Sequence, residues 1–143
     1  MFLGEYEHTL DNKGRLTIPS RFRNEMAGGV VITRGLDKCL WVFTRSEFER
    51  LVEKIVSQPI TNVDVRSFAR YLAANAQDLI PDRQGRVLIP QKLRDYAGID
   101  SEAVVIGAMN RVEVWNPERW RAEESKLTDD EDSFAKQLAA LGI

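Results

Sequence analysis

Along the first part of the chain, Tyr6, His8 and Leu10 alternate with Glu5, Glu7 and Thr9, the period-two pattern of a half-buried strand. Asp11-Asn12-Lys13-Gly14 then supplies turn chemistry: Asp and Asn side chains bond nearby backbone, and Gly accepts a positive φ. Alternation resumes from Arg15 to Pro19, with Leu16 and Ile18 on one face and Arg15 and Thr17 on the other. Ser20 to Met26 fit a short helix stopped by Gly28-Gly29. A hairpin is predicted from Val30–Thr33 and Cys39–Phe43, turning through Gly35-Leu36-Asp37. Thr44 with Glu47 forms a capping box for a helix from about Arg45 to Ser57.

The same order then recurs. Residues 11–23 read DNKGRLTIPSRFR and residues 82–94 read DRQGRVLIPQKLR. At a constant offset of 71 the identities are Asp11/Asp82, Gly14/Gly85, Arg15/Arg86, Ile18/Ile89, Pro19/Pro90 and Arg23/Arg94. The second copy predicts a strand near Gln77–Pro81, a turn at Asp82–Gly85, a strand Arg86–Pro90 and a short helix ending before Gly98. Its hairpin, Ala103–Ala108 and Arg111–Trp115, turns through Met109-Asn110, and Asn116-Pro117 opens another helix. Between the copies, Val65, Phe68, Ala69 and Leu72 stand at helical spacing, so two helices around Pro59 link them. Beyond Leu127, Phe134, Leu138 and Leu141 suggest a weak amphipathic helix. The expected division is a first unit over 5–47, a helical linker over 48–75, a second unit over 76–119 and an acidic helical tail over 120–143. A unit of two short hairpins is too small to bury a core alone, so two units are expected to interlock. The fold class is α+β, mainly β: a closed barrel with pseudo-two-fold symmetry and flanking helices.

Composition adds little until it is localised. An apolar share of 43% and a charged share of 29% are those of an ordinary globular protein. No apolar run approaches the roughly 20 residues of a membrane span, and the start lacks a basic segment followed by an apolar one. A cytoplasmic location and no membrane partner are therefore expected. Cys39 and His8 are each alone, which leaves no multi-cysteine metal set and no histidine-dependent dyad. No nucleophile–base pair or Gly-rich phosphate loop is found either, so neither an enzyme, a cofactor nor a small-molecule substrate is expected. The net charge of −2 argues at first against nucleic acid. Residues 111–143, however, hold eight acids against five bases, whereas Asp11 to Arg23 holds Lys13, Arg15, Arg21 and Arg23 against one acid. Local patches decide where phosphate binds.

The two D-x-x-x-R turns with their GR endings, in MFLGEYEHTLDNKGRLTIPSRFR and LIPDRQGRVLIPQKLRDYAGI, followed by VVIGAMNRVEVW, resemble the MraZ family of the AbrB-like swapped-hairpin superfamily. The resemblance extends over nearly the whole chain up to the acidic tail. It implies a swapped-hairpin barrel and a nucleoid-associated repressor of its own division and cell-wall gene cluster. It also implies a ring-like homo-oligomer that binds tandem repeats in promoter double-stranded DNA. One departure is Ala76-Gln77-Asp78-Leu79-Ile80-Pro81, which differs from the Cys- and Glu-containing stretch usual there. Pro81 removes a ladder donor and places that strand at an edge.

Each candidate residue has a plainer alternative. Arg15 and Arg86 can engage phosphate or guanine, or can pair with Asp11 and Asp82 to lock the turns. Lys13 and Arg83, inside the turns, suit phosphate contact or are ordinary solvated charges. Asp11, Gly14, Asp82 and Gly85 read as turn architecture. Arg21, Arg23, Lys92 and Arg94 read as a solvated helix face, and Trp41, Trp115 and Trp120 as core or subunit contacts rather than base-stacking groups. Two other functions compete with repression: an antitoxin whose tail wraps a toxin, and a ring-assembly protein with incidental DNA binding. Duplication within one chain and the short tail speak against the antitoxin.

Overall fold

The computed structural model describes residues 1–143. The chain opens with β1 (Phe2–Thr9) and β2 (Arg15–Thr17), then a 3-10 turn (Ser20–Phe22) that continues as α1 (Arg23–Met26). Strands β3 (Val30–Arg34) and β4 (Leu40–Thr44) precede helices α2 (Arg45–Val56) and α3 (Val63–Asn75). The second half repeats the order with β5 (Gln77–Leu79), β6 (Arg86–Leu88), α4 (Gln91–Ala97), β7 (Glu102–Met109) and β8 (Val112–Trp115). Helices α5 (Pro117–Thr128) and α6 (Glu131–Ala140) end the chain. None of the helices is long and apolar enough to cross a membrane.

Six strands form one antiparallel sheet in the order β1-β7-β8-β4-β3-β5, and β2 pairs with β6 in a separate ribbon. Exchanging each strand with its counterpart in the other repeat turns this order into itself, so the sheet carries the duplication as a pseudo-two-fold. The axis passes where Trp41 faces Glu113 across β4 and β8, and where Leu16 faces Val87 across the ribbon. Each repeat's first strand adds to the hairpin of the other. β1 runs along β7 from Phe2–Met109 to Thr9–Glu102, and β5 runs along β3 from Val30–Leu79 to Ile32–Gln77. Both hairpins thereby gain a covered outer edge that their own repeat does not supply.

The core is shared in the same way. Leu16, Ile18, Phe22 and Met26 from the first repeat and Val87, Ile89, Leu93 and Ala97 from the second stand at the offset of 71 and are buried in one cluster. Phe2 and Tyr6 of β1 pack edge-on against Phe22, at ring separations of 5.2 and 5.3 Å. Helix ends follow their capping residues: Thr44 accepts from the Glu47 N–H, Asn62 from Asp64 and Asn116 from Glu118. The buried Thr33 hydroxyl donates to the Leu72 carbonyl at 3.0 Å and docks α3 on β3.

The structure corrects the expected closed barrel. β1 and β5 are the opposite edges of the six-stranded sheet, and no ladder joins them. Because β1 is committed to β7, only an isolated bridge, Leu10 to Leu16, ties it to β2. The strands around the two turns are also shorter than their alternation suggests. β2 ends at Thr17, and its register carries one residue further, where the Ile18 N–H donates to the Gly85 carbonyl before Pro19, which has no N–H to give. β5 ends at Leu79, before Pro81, which has no N–H to give, and it lies at the edge. The predicted helix over Ser20–Met26 is split into a 3-10 turn and one α turn.

The close pairing of β1 and β7 has a steric requirement. Gly4 faces Gly107, and a Cβ added at Gly107 would lie 2.3 Å from the Leu3 nitrogen and 2.6 Å from the Phe2 carbonyl carbon. These are backbone atoms that cannot swing aside. Gly107→Ala should therefore destabilise by about 1–3 kcal/mol or more through overpacking. Gly28→Ala, which meets nothing within 4 Å, serves as the control. Equal melting temperatures for the two variants would contradict this reading.

Candidate nucleic-acid interface

Each of the two repeated turns is built around one aspartate. The Asp11 carboxylate accepts through Oδ1 from the backbone N–H of Lys13 at 3.0 Å and of Arg15 at 2.9 Å. Its Oδ2 accepts from Arg15 Nε at 2.6 Å. Asp82 does the same, with Gln84 and Arg86 N–H groups at 2.9 Å each and Arg86 Nε at 2.8 Å. Each turn closes by a glycine N–H bonding back to the aspartate carbonyl, Gly14 to Asp11 at 3.0 Å and Gly85 to Asp82 at 2.9 Å. The two glycines have φ of +84° and +75°, which a side chain would strain.

The turns are then fastened across the pseudo-two-fold. Ile89 N–H donates to the Gly14 carbonyl at 3.0 Å, and Ile18 N–H donates to the Gly85 carbonyl at 2.8 Å. The ribbon buries Leu16 and Val87 and turns Arg15, Thr17, Arg86 and Leu88 outward. Arg15 lies opposite Leu88 and Thr17 opposite Arg86, so the two arginines occupy diagonal positions about 7–8 Å apart. Antiparallel pairing puts the turns at opposite ends of the ribbon, roughly 14 Å apart by strand rise.

The alternatives for Arg15 and Arg86 are thus combined in one arrangement. Each guanidinium spends only Nε on its aspartate, and neither Nη1 nor Nη2 has a protein acceptor. The fork is oriented and its outer N–H groups stay free. Lys13 and Arg83 are exposed at the turn tips. They do not occupy equivalent positions, since Lys13 corresponds to Gln84 and Arg83 to Asn12.

Two arginines read as solvated from the sequence have defined places here. Arg23 Nε donates to the Ile18 carbonyl at 3.0 Å and Arg94 Nε to the Ile89 carbonyl at 2.9 Å. Both side chains lie against glycines of the opposite turns, Arg94 through its guanidinium on Gly14 and Arg23 through Nε, Cδ and Cγ on Gly85. Their identity at the repeat offset was the available signal. Arg23 also faces the half-buried His8, whose pKa is pushed down by burial and then by that charge. The tryptophans belong to a separate apolar cluster on the opposite face of the sheet from the shared core. Trp115 is buried there with Cys39 and Val104, and Trp41 and Trp120 pack against them. Glu113 accepts from the indoles of both Trp41 and Trp115, at 3.1 and 3.0 Å.

The turn carboxylates predict an acid transition. The Asp11 pKa is lowered from 3.8 to about 2, first by the Arg15 backbone N–H, then by the Arg15 side chain and the Lys13 N–H, against some desolvation. Asp82 is lowered for the same reasons. A carboxyl with a depressed folded pKa contributes stability that is complete above its unfolded value and lost as pH falls through the folded one. The parent should therefore be more stable than Asp11→Asn at pH 5, and the difference should shrink as pH falls from about 4 towards 2. Chemical denaturation across this range checks it, and a gap constant from pH 5 to 2 would contradict it.

Comparison with known proteins agrees with the duplication. The family profile of the MraZ protein, which is described as antitoxin-like, matches residues 1–71 and again residues 72–142. A relative from Saccharopolyspora erythraea named transcriptional regulator MraZ is 48% identical over 136 residues, 95% of this chain and 93% of its own. Proteins of the same name from a Roseiflexus species and from Syntrophomonas wolfei are 48% identical over 141 residues, 99% of both chains, and 44% identical over 143, the full length of both. With two matches that together cover both repeats, the chain belongs to the MraZ family.

Proposed function

We propose that this chain is a transcriptional regulator that binds double-stranded DNA sequence-specifically through its two turns. In this reading it represses its own division and cell-wall gene cluster from tandem promoter repeats. The observation that carries the proposal is the pair of half-used guanidinium forks, Arg15 and Arg86, held by Asp11 and Asp82 with their Nη groups unengaged. An arginine fork presented in this way fits phosphate oxygens or the O6/N7 edge of guanine. The roughly 14 Å between the turns is close to the width of one major groove, about 12 Å. Lys13 and Arg83 add phosphate contacts at the tips, and the exposed Leu88 offers an apolar surface for a thymine methyl. The relatives' names, transcriptional regulators, support the same reading.

The functional units in this reading are 5–47 and 76–119, with 48–75 as linker and 120–143 as tail. Self-association into a ring is supported by the apolar face of α2 and α3. Val56, 72% exposed, and Ile60, 80% exposed in the turn between the helices, line one groove with Ile55 and Val65, an arrangement costly to leave in water. An antitoxin role would rest on the tail, which is folded into α5 and α6, while the DNA reading uses the feature present twice.

Arg15→Ala and Arg86→Ala should each cost about 1–3 kcal/mol in binding to the gene's own upstream DNA while leaving the protein folded. Each should disturb a different half of the DNA site. Lys13→Ala should lower the salt slope by roughly one phosphate's worth and leave the half-sites intact. Quantitative footprinting across salt concentrations checks this, and identical footprints for the two arginine variants would sink the two-headed reading.

One subunit offers only about four basic contacts, so tight binding should depend on several subunits engaging several repeats. An array of repeats should bind about 10²–10⁴-fold more tightly than one isolated repeat at equal salt. Equal affinities would exclude multivalent binding.

A further inference from the structure

The arginines at the start of α1 and within α4 do something that neither the turn motif nor the solvated-face reading assigns to them. Arg94 clasps the residue that fastens the first turn. Its Nε donates to the Ile89 carbonyl at 2.9 Å, while the N–H of the same Ile89 donates to the Gly14 carbonyl at 3.0 Å. Its guanidinium also closes over Gly14, where a Cβ would lie 2.5 Å from Arg94 Cζ. Arg23 repeats this on the other side. Its Nε donates to Ile18, whose N–H donates to Gly85, and a Cβ at Gly85 would lie 2.7 Å from Arg23 Nε.

We infer that each turn is positioned by the opposite repeat: Arg94 sets the first turn and Arg15, and Arg23 sets the second turn and Arg86. This deepens the DNA-binding reading and rests on it. The physical argument is one of local rigidity. A glycine turn at positive φ has no side chain of its own to pack, and its aspartate orients only the inside of the loop. An arginine side chain lying on the glycine, by its guanidinium at Gly14 and by its Nε and stem at Gly85, and bonded to the adjacent ladder through Nε–H, supplies the missing outer wall. Lysine cannot substitute for Arg94, because it has no Nε–H in a rigid fork and no plane to lie on Gly14. The residue that sets Arg15 thus comes from about 80 positions further along the chain. In that sense, Arg23 and Arg94 are positioning residues, acting on DNA through Gly85 and Gly14.

The pairing is crosswise, and that makes it testable. The full chain and its variants are footprinted on the gene's own upstream DNA. Arg94→Ala should weaken binding about tenfold, as for one lost charge-assisted hydrogen bond, and lose the bases that Arg15→Ala loses. Arg23→Ala should lose those that Arg86→Ala loses. Arg94→Lys should not restore the footprint. Loss of the Arg86 bases in Arg94→Ala, parental binding, or full rescue by Arg94→Lys would overturn the inference. A melting cycle provides a second measurement that does not depend on DNA. Gly14→Ala should cost less in an Arg94→Ala background than in the parent, because the contact is gone and only the backbone strain is left. An Arg23→Ala background should leave its full cost. Equal costs in all three backgrounds would overturn the crosswise contact. If Arg15→Ala and Arg86→Ala themselves bind like the parent, the DNA reading fails, while this cycle still decides the contact between repeats.

Discussion

The reciprocal hydrogen bonds from Ile89 to Gly14 and from Ile18 to Gly85 join each turn to the other half of the chain, and the remaining architecture depends on them. They extend the β2–β6 ribbon beyond its three paired residues, close the ladder over Leu16 and Val87, and bring the two turns to its ends. Neither repeat has enough strand of its own to bury that ladder, because hairpins this short are at best marginal in water. The exchange of β1 and β5 between hairpins follows the same constraint: each repeat lacks an edge that the other supplies. Folding and site assembly are therefore one event. The turns cannot be placed before the repeats have met.

The electrostatics of the turns rank in a definite order. A partly exposed Asp–Arg pair contributes little stability on its own. The larger effect is the capture of otherwise unpaired backbone N–H groups by the carboxylate, two in each turn. The ion pair's consequence is directional: it fixes Nε and points the rest of the fork outward. A net charge of −2 does not oppose anion binding here, because acidic residues concentrate in the C-terminal helices while the ribbon face gathers Arg15, Arg23, Arg86 and Arg94.

The duplication is not kept as symmetry everywhere. On the axis of the large sheet, Trp41 faces Glu113 and bonds to it, a pair that identical repeats could not form. Arg111 reinforces it by pairing with Glu113 while its guanidinium lies over the Trp41 ring at 4.9 Å. The ribbon likewise places Thr17 opposite Arg86 but Leu88 opposite Arg15. Backbone geometry at the two turns is nearly equal, whereas the side chains around them differ. The scaffold is thus duplicated while the surfaces around it have diverged.

Much of this was legible in the sequence, because local forces decide it. The period-two pattern around Tyr6 and Leu16, the Asp–Gly turns, the Thr44 and Asn116 caps and the offset of 71 each depend on residues within one turn or strand of one another. The candidate residues Asp11, Arg15, Asp82 and Arg86 were legible for the same reason: aspartate and arginine are four residues apart and bond within the turn. Strand partnership was decided only by the tertiary structure, since β1 could pair with β2 or β7 on alternation alone and burial of the shared core selected β7. That choice opened the expected barrel into a six-stranded sheet. The contacts of Arg23 and Arg94 were not legible, because a charged residue on a short helix looks solvated until the fold brings a side-chain-free glycine against it; Arg94 becomes half-buried, whereas Arg23 stays exposed as read. Sequence determines contacts among neighbours in the chain, whereas these contacts form between residues about 60 to 80 positions apart, whose meeting is set by the packing of the two repeats.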